Sequence, residues 1–347
     1  MKKAEAEEML KQSKWFLGKN RINGSDTLEE YLLKWFALNY KHNCGTAAYQ
    51  VSAKTAEQYE WAINHAIPHI GKIKLNEIKR SDIKKLIFAL LDGELSPSSC
   101  DIIRRVLSTA FNTAIGDDLI EQNPCTHIKI KSEKFEPRQL NIQETNMMLD
   151  AIRGEWIEPI VKITLALGLR LGEVLGLKFE DFDIEKRTVH IRRQITVIGH
   201  EGKKRIYGIK DKVKTDQSNR ILGIDETVVD IYRIQNAKYQ QELILNPGML
   251  DNHLLFFNSK RGFLIPTSVS HRFHSLMKKH EIADMRFHDL RGTSMSIAGD
   301  MGVRIEEISK NAGHSSIKVT EGRYIRKKEI LYNYANAIED AIFHPEK

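Results

Sequence analysis

The sequence predicts a mainly α-helical protein of two domains, with a small antiparallel β-sheet in the second. The chain has 347 residues, of which 41% are hydrophobic and 29% charged, enough apolar material for more than one core. Helix-start signals recur between residues 21 and 130, and apolar residues follow them at helical spacing. A short stretch near residue 190 shows period-two alternation, which is typical of β-strands.

The first domain is predicted to be all-helical and to span residues 21–130. Its helix starts carry serine or threonine, whose side chains accept hydrogen bonds from the first turn. Four such starts are predicted, at Thr27 with Glu30 as its capping-box partner, near Ser52, at Ser81 and at Ser96 before a proline. Ahead of this domain, residues 1–20 are predicted to hold one short amphipathic helix, over 4–17, which is too small to be a domain.

The second domain is predicted to span residues 138–347, after a charged, apolar-poor linker over 131–137. Asn141 is expected to cap its first helix. Alternation over 188–192 and the β-branched stretch 219–224 predict the small antiparallel sheet, and the remainder is predicted to be mostly helical.

The net charge of +7 suits nucleic acid or simply aids solubility, but its distribution is uneven. From Lys186 to Arg220 there are eleven basic and three acidic residues, a surplus of +8, so the rest of the chain is close to neutral. This composition excludes a disordered chain, a collagen and a disulfide scaffold.

The cysteines and the apolar segments predict a cytoplasmic protein without a membrane span. Cys44, Cys100 and Cys125 lie far apart and lack metal-ligand spacing, which fits a reducing compartment. The N-terminus has no secretory signal, and charged residues interrupt the most apolar region, 160–177.

Two pairs of residues three apart are candidates for chemistry. Arg170 stands in an apolar run with Glu173 three residues on, so on a helix the carboxylate would hold the guanidinium; a structural ion pair is the alternative. His288 and Arg291 have the same spacing, which alone is more typical of surface neighbours.

Taken together with His314, Tyr324 and Lys214, these residues fit phosphoryl transfer at a DNA phosphodiester. Two arginines can bind the non-bridging oxygens and stabilise the charge that builds in the transition state. A phenol can act as the nucleophile and form a covalent intermediate. We therefore expect that neither ATP nor a metal or other cofactor is required.

Four segments in order carry a resemblance to a known family: GLRLGEVLGL, VKTDQSNRILGI, RFHDLRGT and AGHSSIKVTEGRY. With them, residues 138–324 resemble the tyrosine recombinases, the integrase class of phages and integrative mobile elements. Residues 25–130 resemble the helical, SAM-like core-binding domain of the same family. The resemblance implies a mixed α/β catalytic domain that, with the core-binding domain, forms a clamp around DNA.

The resemblance also implies roles for single residues. Arg170 and Arg291 would clamp the scissile phosphate, with Glu173 supporting Arg170. Lys214 would be the general acid that protonates the leaving 5′ oxygen, and Lys212, two positions earlier on the same strand face, is the competing assignment.

The remaining implied roles concern proton transfer and DNA contact. His288 would assist proton transfer, His314 would complete the clamp, and Tyr324 would form the 3′-phosphotyrosyl bond. Gly292 stands where many members have a second histidine, and the spacing from His314 to Tyr324 is one residue longer than in many relatives. The basic residues expected to contact DNA are Arg192, Arg193, Lys203, Lys204, Arg205, Lys212 and Arg220.

Assembly and partners follow from the same resemblance. An amphipathic helix over 327–343 would dock onto a neighbouring protomer, coupling a homotetramer on double-stranded attachment-site DNA to the placement of Tyr324. Packing within its own domain is the alternative. An excisionase and a host DNA-bending protein are candidate accessory partners. The helix over 4–17 resembles the last helix of an arm-binding domain, either truncated or naturally short, and favours a mobile-element integrase over a Xer-type resolving recombinase.

Three further alternatives stay open at this point. A type IB topoisomerase-like enzyme would share the catalytic residue types, and a non-catalytic DNA-binding regulator would share the fold. A metal hydrolase would use His271, His274 and His288, although no carboxylate-rich motif accompanies them.

Overall fold

The computed structural model describes residues 24–38, 52–131, 137–201, 204–211, 219–248, 252–258, 260, 262–282 and 284–313. The chain divides into two units, Met1–Lys134 and Phe135–Lys347, and each has its own hydrophobic core. The predicted helices over 4–17 and 327–343 lie outside the described residues. None of the described helices is both long and apolar enough to cross a bilayer.

The described part of the first unit is helical, as predicted. Its α-helices are α1 (Leu28–Phe36), α2 (Ala53–Ile70), α3 (Arg80–Asp92) and α4 (Pro97–Gly116). Three predicted caps are confirmed, because the side chains of Thr27, Ser52 and Ser96 each accept a hydrogen bond from the first turn.

The start of α3 differs from the prediction. The helix begins at Arg80 and Lys79 holds the N-cap position, so Ser81 is already inside the first turn. The reason is Asp82, whose Oδ2 accepts a hydrogen bond from the backbone N of Lys79 at 2.9 Å. A carboxylate in the third helical position therefore completes the helix end without a serine cap.

Two buried aromatic side chains of α1 tie that helix to α4. The Tyr31 hydroxyl donates to the carbonyl of Ala110 at 2.6 Å, and Trp35 Nε1 donates to Thr113 Oγ1 at 3.1 Å. Both side chains are almost fully buried. The polar tips of these large apolar groups are thus paired inside the core, which sets the register between the two helices.

The second unit combines short strands with helices. Its α-helices are α5 (Ile142–Ala151), α6 (Glu158–Leu167), α7 (Leu171–Leu175), α8 (Glu226–Leu245), α9 (Pro266–Lys279), α10 (Asp289–Asp300) and α11 (Ile305–Ala312). Its strands are β1 (Phe182–Asp183), β2 (Thr188–Ile191), β3 (Gln194–Glu201), β4 (Lys204–Lys210) and β5 (Arg220–Gly223). The predicted cap at Asn141 is confirmed as a capping box.

The strands form two small antiparallel sheets. One has the order β1-β2-β5, and the other is the β3-β4 hairpin. Residues 188–191 pair with 220–223, so the two stretches with a β pattern are neighbours, as predicted. The predicted fold class, mainly helical with a small antiparallel sheet, is therefore confirmed.

Glycines bring α7 close to β3. A Cβ on Gly172 would lie 2.7 Å from the carbonyl oxygen of Ile195, and one on Gly176 would lie 2.9 Å from Cα of Gln194. Contacts this short are not tolerated between a side chain and backbone. The glycines of the GLRLGEVLGL segment therefore set how tightly the helix that follows Arg170 packs on the sheet.

We predict that Gly176→Ala destabilises the protein by about 1–3 kcal/mol, because the added methyl forces α7 away from β3. Urea denaturation of the full chain would measure the change in the free energy of unfolding. Gly223→Ala is the matched control, since among the described residues no atom outside its chain neighbours lies within 4 Å of its added Cβ. Equal stability of Gly176→Ala and the control would contradict the packing argument.

Candidate active site

The buried carboxylate of Glu173 is the centre of the candidate site. It is 2% exposed, and its Oε1 accepts from Nη1 of Arg170 at 2.7 Å. The predicted pair therefore exists, but the two residues do not share a helix face. Arg170 holds the N-cap position of α7, and Glu173 reaches back to its backbone N at 3.2 Å.

Glu173 is shared with a second guanidinium, that of Arg220 at the start of β5. Nη2 of Arg220 lies 3.1 Å from Oε2 of Glu173, and its side chain is 8% exposed. Burial raises the pKa of Glu173, but the opposing attraction of Arg220 and Arg170 outweighs it and holds that pKa below its usual value. The carboxylate is therefore ionised at neutral pH.

Arg291 is held by backbone carbonyls. It is 1% exposed inside α10, and its Nη1 and Nη2 donate to the carbonyls of Gly168 at 2.8 Å and Ala312 at 2.6 Å. Gly168 stands in the left-handed region two residues before Arg170, and Ala312 stands two residues before His314. The structure thus brings the predicted clamp residues Arg170 and Arg291 into one cluster.

Neighbouring polar side chains join the same segments. Asn311 Nδ2 donates to the carbonyl of Leu167 at 3.0 Å, and Ser294 Oγ donates to that of Leu165 at 2.6 Å. Arg220 Nε donates to the carbonyl of Asn311 at 2.6 Å. Asn311 and Ser294 were not singled out in the sequence, because their only signal is their position beside segments that carry candidate residues.

His288 stands at the N-cap position of α10, so it begins the helix that carries Arg291. The residue as a whole is exposed to solvent. Partial burial of the ring lowers its pKa, and the positive charge of Arg291 lowers it further. Because the shift is downward from 6.5, the imidazole is neutral at pH 7. Arg170 acts on this pKa in the same direction, which places His288 in the field of both clamp arginines.

Five of the predicted site residues lie outside the described residues: Lys203, Lys212, Lys214, His314 and Tyr324. The described residues end close to Lys212 and Lys214 on one side, and close to His314 on the other. Arg220 begins β5 six residues after Lys214, and Gly313, directly before His314, ends α11 in the left-handed region. Their proposed roles therefore rest on the sequence.

Burial changes the interpretation of two residues for which DNA contact was expected. The Arg193 side chain is 7% exposed and pairs with Asp181, which is itself buried. Arg220 is similarly enclosed beside Glu173. Both guanidinium groups pair with internal carboxylates, which supports a structural role for each. DNA contact by Arg193 and Arg220 stays a prediction.

The charge of the basic stretch is partly offset by acids outside it. Its charge is offset by Glu180 and Asp181 beside Arg192 and Arg193, by Asp183 beside Lys186, by Glu173 beside Arg220 and by Glu226 beside Arg187. Arg192 is partly exposed, while Lys204 and Arg205 on β4 are exposed. For these three, and for Lys203 outside the described residues, DNA contact stays a prediction.

The histidines of the metal-hydrolase alternative do not form a ligand cluster in the described part of the chain. His271 and His274 are exposed on α9. Among the described residues, no group of three or more histidine, cysteine, aspartate or glutamate side chains could hold a metal ion.

The cluster as a whole is positively charged and preorganised. Arg170, Arg220, Arg291 and Glu173 together carry a formal charge of +2. Each guanidinium is held by at least one hydrogen bond or ion pair that is buried or partly buried. Such an arrangement can bind the oxygens of a phosphodiester and stabilise additional negative charge on them.

Two family models match the chain. Residues 138–329, more than half of the chain, match the phage integrase family, and residues 27–91 match the phage integrase N-terminal SAM-like domain. A tyrosine recombinase XerC-like protein of Caldanaerobacter subterraneus subsp. tengcongensis is 25% identical over 266 residues, covering 73% of this chain and 68% of that protein. This chain is also 24% identical to the putative prophage phiRv2 integrase of two Mycobacterium tuberculosis strains, and it spans 64% of the length of those proteins.

Solved structures show the same fold. The Tn1549 transposon integrase in complex with transposon right end DNA has a TM-score of 0.72 and 22% identity, over 91% of this chain and 99% of that one. A lambda integrase tetramer bound to a Holliday junction has a TM-score of 0.61 and 18% identity, over 84% of this chain and 75% of that one. With the family match over residues 138–329, the chain belongs to the phage integrase family and is a tyrosine recombinase.

Proposed function

We propose that this tyrosine recombinase is a site-specific integrase that cuts and rejoins DNA strands at attachment sites. Strand exchange would pass through a 3′-phosphotyrosyl intermediate and a Holliday junction, and it would integrate or excise a phage or an integrative mobile element. The observation that carries the proposal is the cluster in which Arg170 and Arg291 are fixed around Glu173 and the backbone of Gly168. DNA affinity alone does not need two arginines held in this way.

The clamp would act on the scissile phosphate through Arg170 and Arg291. Glu173 engages one terminal nitrogen of Arg170, and 36% of the Arg170 side chain is exposed, which leaves room for a phosphate oxygen. The carbonyl contacts of Arg291 fix its plane before DNA arrives. Preorganised cations of this kind stabilise the transition state without reorganising during the reaction.

The proposed chemistry is a transesterification. The Tyr324 oxygen attacks phosphorus, the bond from phosphorus to the 5′ oxygen breaks, and Lys214 donates a proton to that oxygen. The neutral imidazole of His288 assists removal of the phenol proton, and His314 completes the phosphate clamp. Attack by the 5′ hydroxyl of a second strand then releases Tyr324, so the number of phosphodiester bonds is conserved.

The proposed assembly is a homotetramer on two attachment sites. The lambda integrase tetramer on a Holliday junction shares the fold and supports this state. Residues 21–130 would be the core-binding domain, in agreement with the SAM-like match over 27–91. The segment 327–343 would dock onto a neighbouring protomer, and an excisionase and a host DNA-bending protein would be accessory partners.

We predict that Tyr324→Phe keeps site-specific DNA binding but abolishes the covalent adduct, because the variant has no nucleophilic oxygen. A nicked attachment-site DNA and denaturing electrophoresis would detect the adduct. Tyr332→Phe is the matched control and should form it normally. A covalent adduct in the Tyr324→Phe variant would refute the mechanism.

The competing general acids can be separated by the leaving group. Lys214→Ala should slow cleavage by about 10²–10⁴-fold on ordinary DNA, because the 5′ oxygen then leaves without a proton. A substrate with sulfur in place of that oxygen should restore the rate, since a thiolate is a good leaving group without protonation. Lys212→Ala should show neither effect. The reverse pattern would assign the general acid to Lys212.

Removal of residues 327–347 should impair synapsis more than binding to a single site, if this segment joins protomers. Gel-shift assays with one and with two attachment sites would measure both. Ile338→Asp, on the apolar stripe, should reproduce the defect, whereas its neighbour Glu339→Ala should not. Equal loss of both complexes would indicate packing within the same protomer instead.

A further inference from the structure

We propose that Arg220 is a positioning residue that holds the separate parts of the active site in register through Glu173 and Asn311. The effect of this positioning on catalysis rests on the proposed function. Arg220 was expected to contact DNA from its place in the basic stretch, whereas the structure encloses it at the centre of the site.

Two contacts of Arg220 carry the inference. Its Nη2 bonds Oε2 of Glu173 at 3.1 Å, and its Nε donates to the carbonyl of Asn311 at 2.6 Å. These partners are distant in the sequence, 47 and 91 residues away. One guanidinium therefore joins the segment that begins at Arg170 to the C-terminal end of α11.

The backbone of Arg220 is fixed as well. It begins β5 and pairs with Ile191 of β2. The chain that holds Lys214 leads directly into this strand. The side chain of Arg220 thus connects the segment of Arg170 to the segment that leads to His314. Its backbone continues from the segment that carries Lys214, the proposed general acid.

Asn311 extends the connection. Its side-chain Nδ2 donates to the carbonyl of Leu167 at 3.0 Å, so α11 is tied back to the end of α6. Arg291 joins the same two segments through the carbonyls of Gly168 and Ala312. Asn311 and Arg291 therefore join the segments that precede Arg170 and His314. Arg220 joins Glu173, which follows Arg170, to the same end of α11.

The chemistry of this position calls for arginine. Its planar group presents donors in fixed, divergent directions, so Nη2 can serve a carboxylate while Nε serves a carbonyl. A lysine would keep the charge but has a single donor nitrogen. With neither arginine nor lysine at position 220, Glu173 would remain buried at 2% exposure with less positive charge around it. Glu173 would then hold Arg170 less firmly.

The first test needs no DNA. Hydrogen–deuterium exchange of the full chain would compare wild type with Arg220→Gln, Arg220→Lys and Arg272→Gln. The last is the matched control, because Arg272 bonds Glu155 at 2.6 Å elsewhere in the same unit. We expect Arg220→Gln to raise exchange in peptides covering 168–175 and 305–313, Arg220→Lys to raise it less, and Arg272→Gln to leave both unchanged.

The second test separates positioning from loss of folded protein. In single-turnover cleavage of a nicked attachment-site DNA, Arg220→Gln should lower the rate constant by about 10–100-fold while the fraction of cleaved DNA and the binding affinity stay near wild type. A variant that is merely unstable would lower the cleaved fraction and leave the rate constant unchanged. If Arg220 acts through Glu173, combining Arg220→Gln with Glu173→Gln should lower the rate constant little further than Glu173→Gln does alone.

The outcomes are distinct. Unchanged exchange in both peptides, an unchanged rate constant or full additivity with Glu173→Gln would each overturn the proposal for Arg220. Raised exchange in 142–151 to the same extent as in the two peptides would show a general loosening and would also overturn it. A wild-type chain that forms no adduct on any tested attachment site would count against the proposed function, while the exchange experiment would still decide the role of Arg220.

Discussion

The ion cluster around the buried carboxylate of Glu173 is the constraint on which the rest of the catalytic unit depends. An unpaired charge at 2% exposure would be strongly destabilising, so Glu173 can stay ionised there only with its two guanidinium partners in place. Those partners come from different segments, α7 and β5. The sheet and the helical segment must therefore come together before the charge is satisfied, which couples the folding of the unit to the formation of the site.

Backbone geometry provides the second half of the arrangement. Gly168 adopts a left-handed conformation with φ of 62°, which ends α6 and turns the chain so that Arg170 begins α7. The same turn presents the carbonyl of Gly168 to Arg291. Close approach of α7 to β3 then requires glycine at 172 and 176. The spacing of three glycines around one arginine is thus a packing requirement as much as a catalytic signature.

Local features of this fold could be predicted from the sequence, but long-range partners could not. Capping residues such as Thr27 and Asn141 act within one turn, and strand alternation at 188–192 has a period of two, so both can be recognised without the fold. The burial of Arg193 and Arg220 could not be predicted, because a run of basic residues does not show which carboxylates will face them. Their partners, Asp181 and Glu173, lie outside the run. The residues of the clamp were recognised because several motifs occur together in order, and their mutual contacts needed the structure.

The distribution of charge explains why a modest surplus suffices for an enzyme of this kind. The +8 counted between residues 186 and 220 is partly neutralised by acids brought in by the fold, so it does not describe an open basic surface. The cluster of three arginines and one glutamate nevertheless keeps a formal charge of +2 where donors are fixed and largely desolvated. In such surroundings a charge interacts more strongly with a phosphate than it would in water. Under the proposed mechanism, the well-held charges of this cluster therefore matter more for catalysis than many exposed ones along the chain, because their positions are set before the substrate arrives.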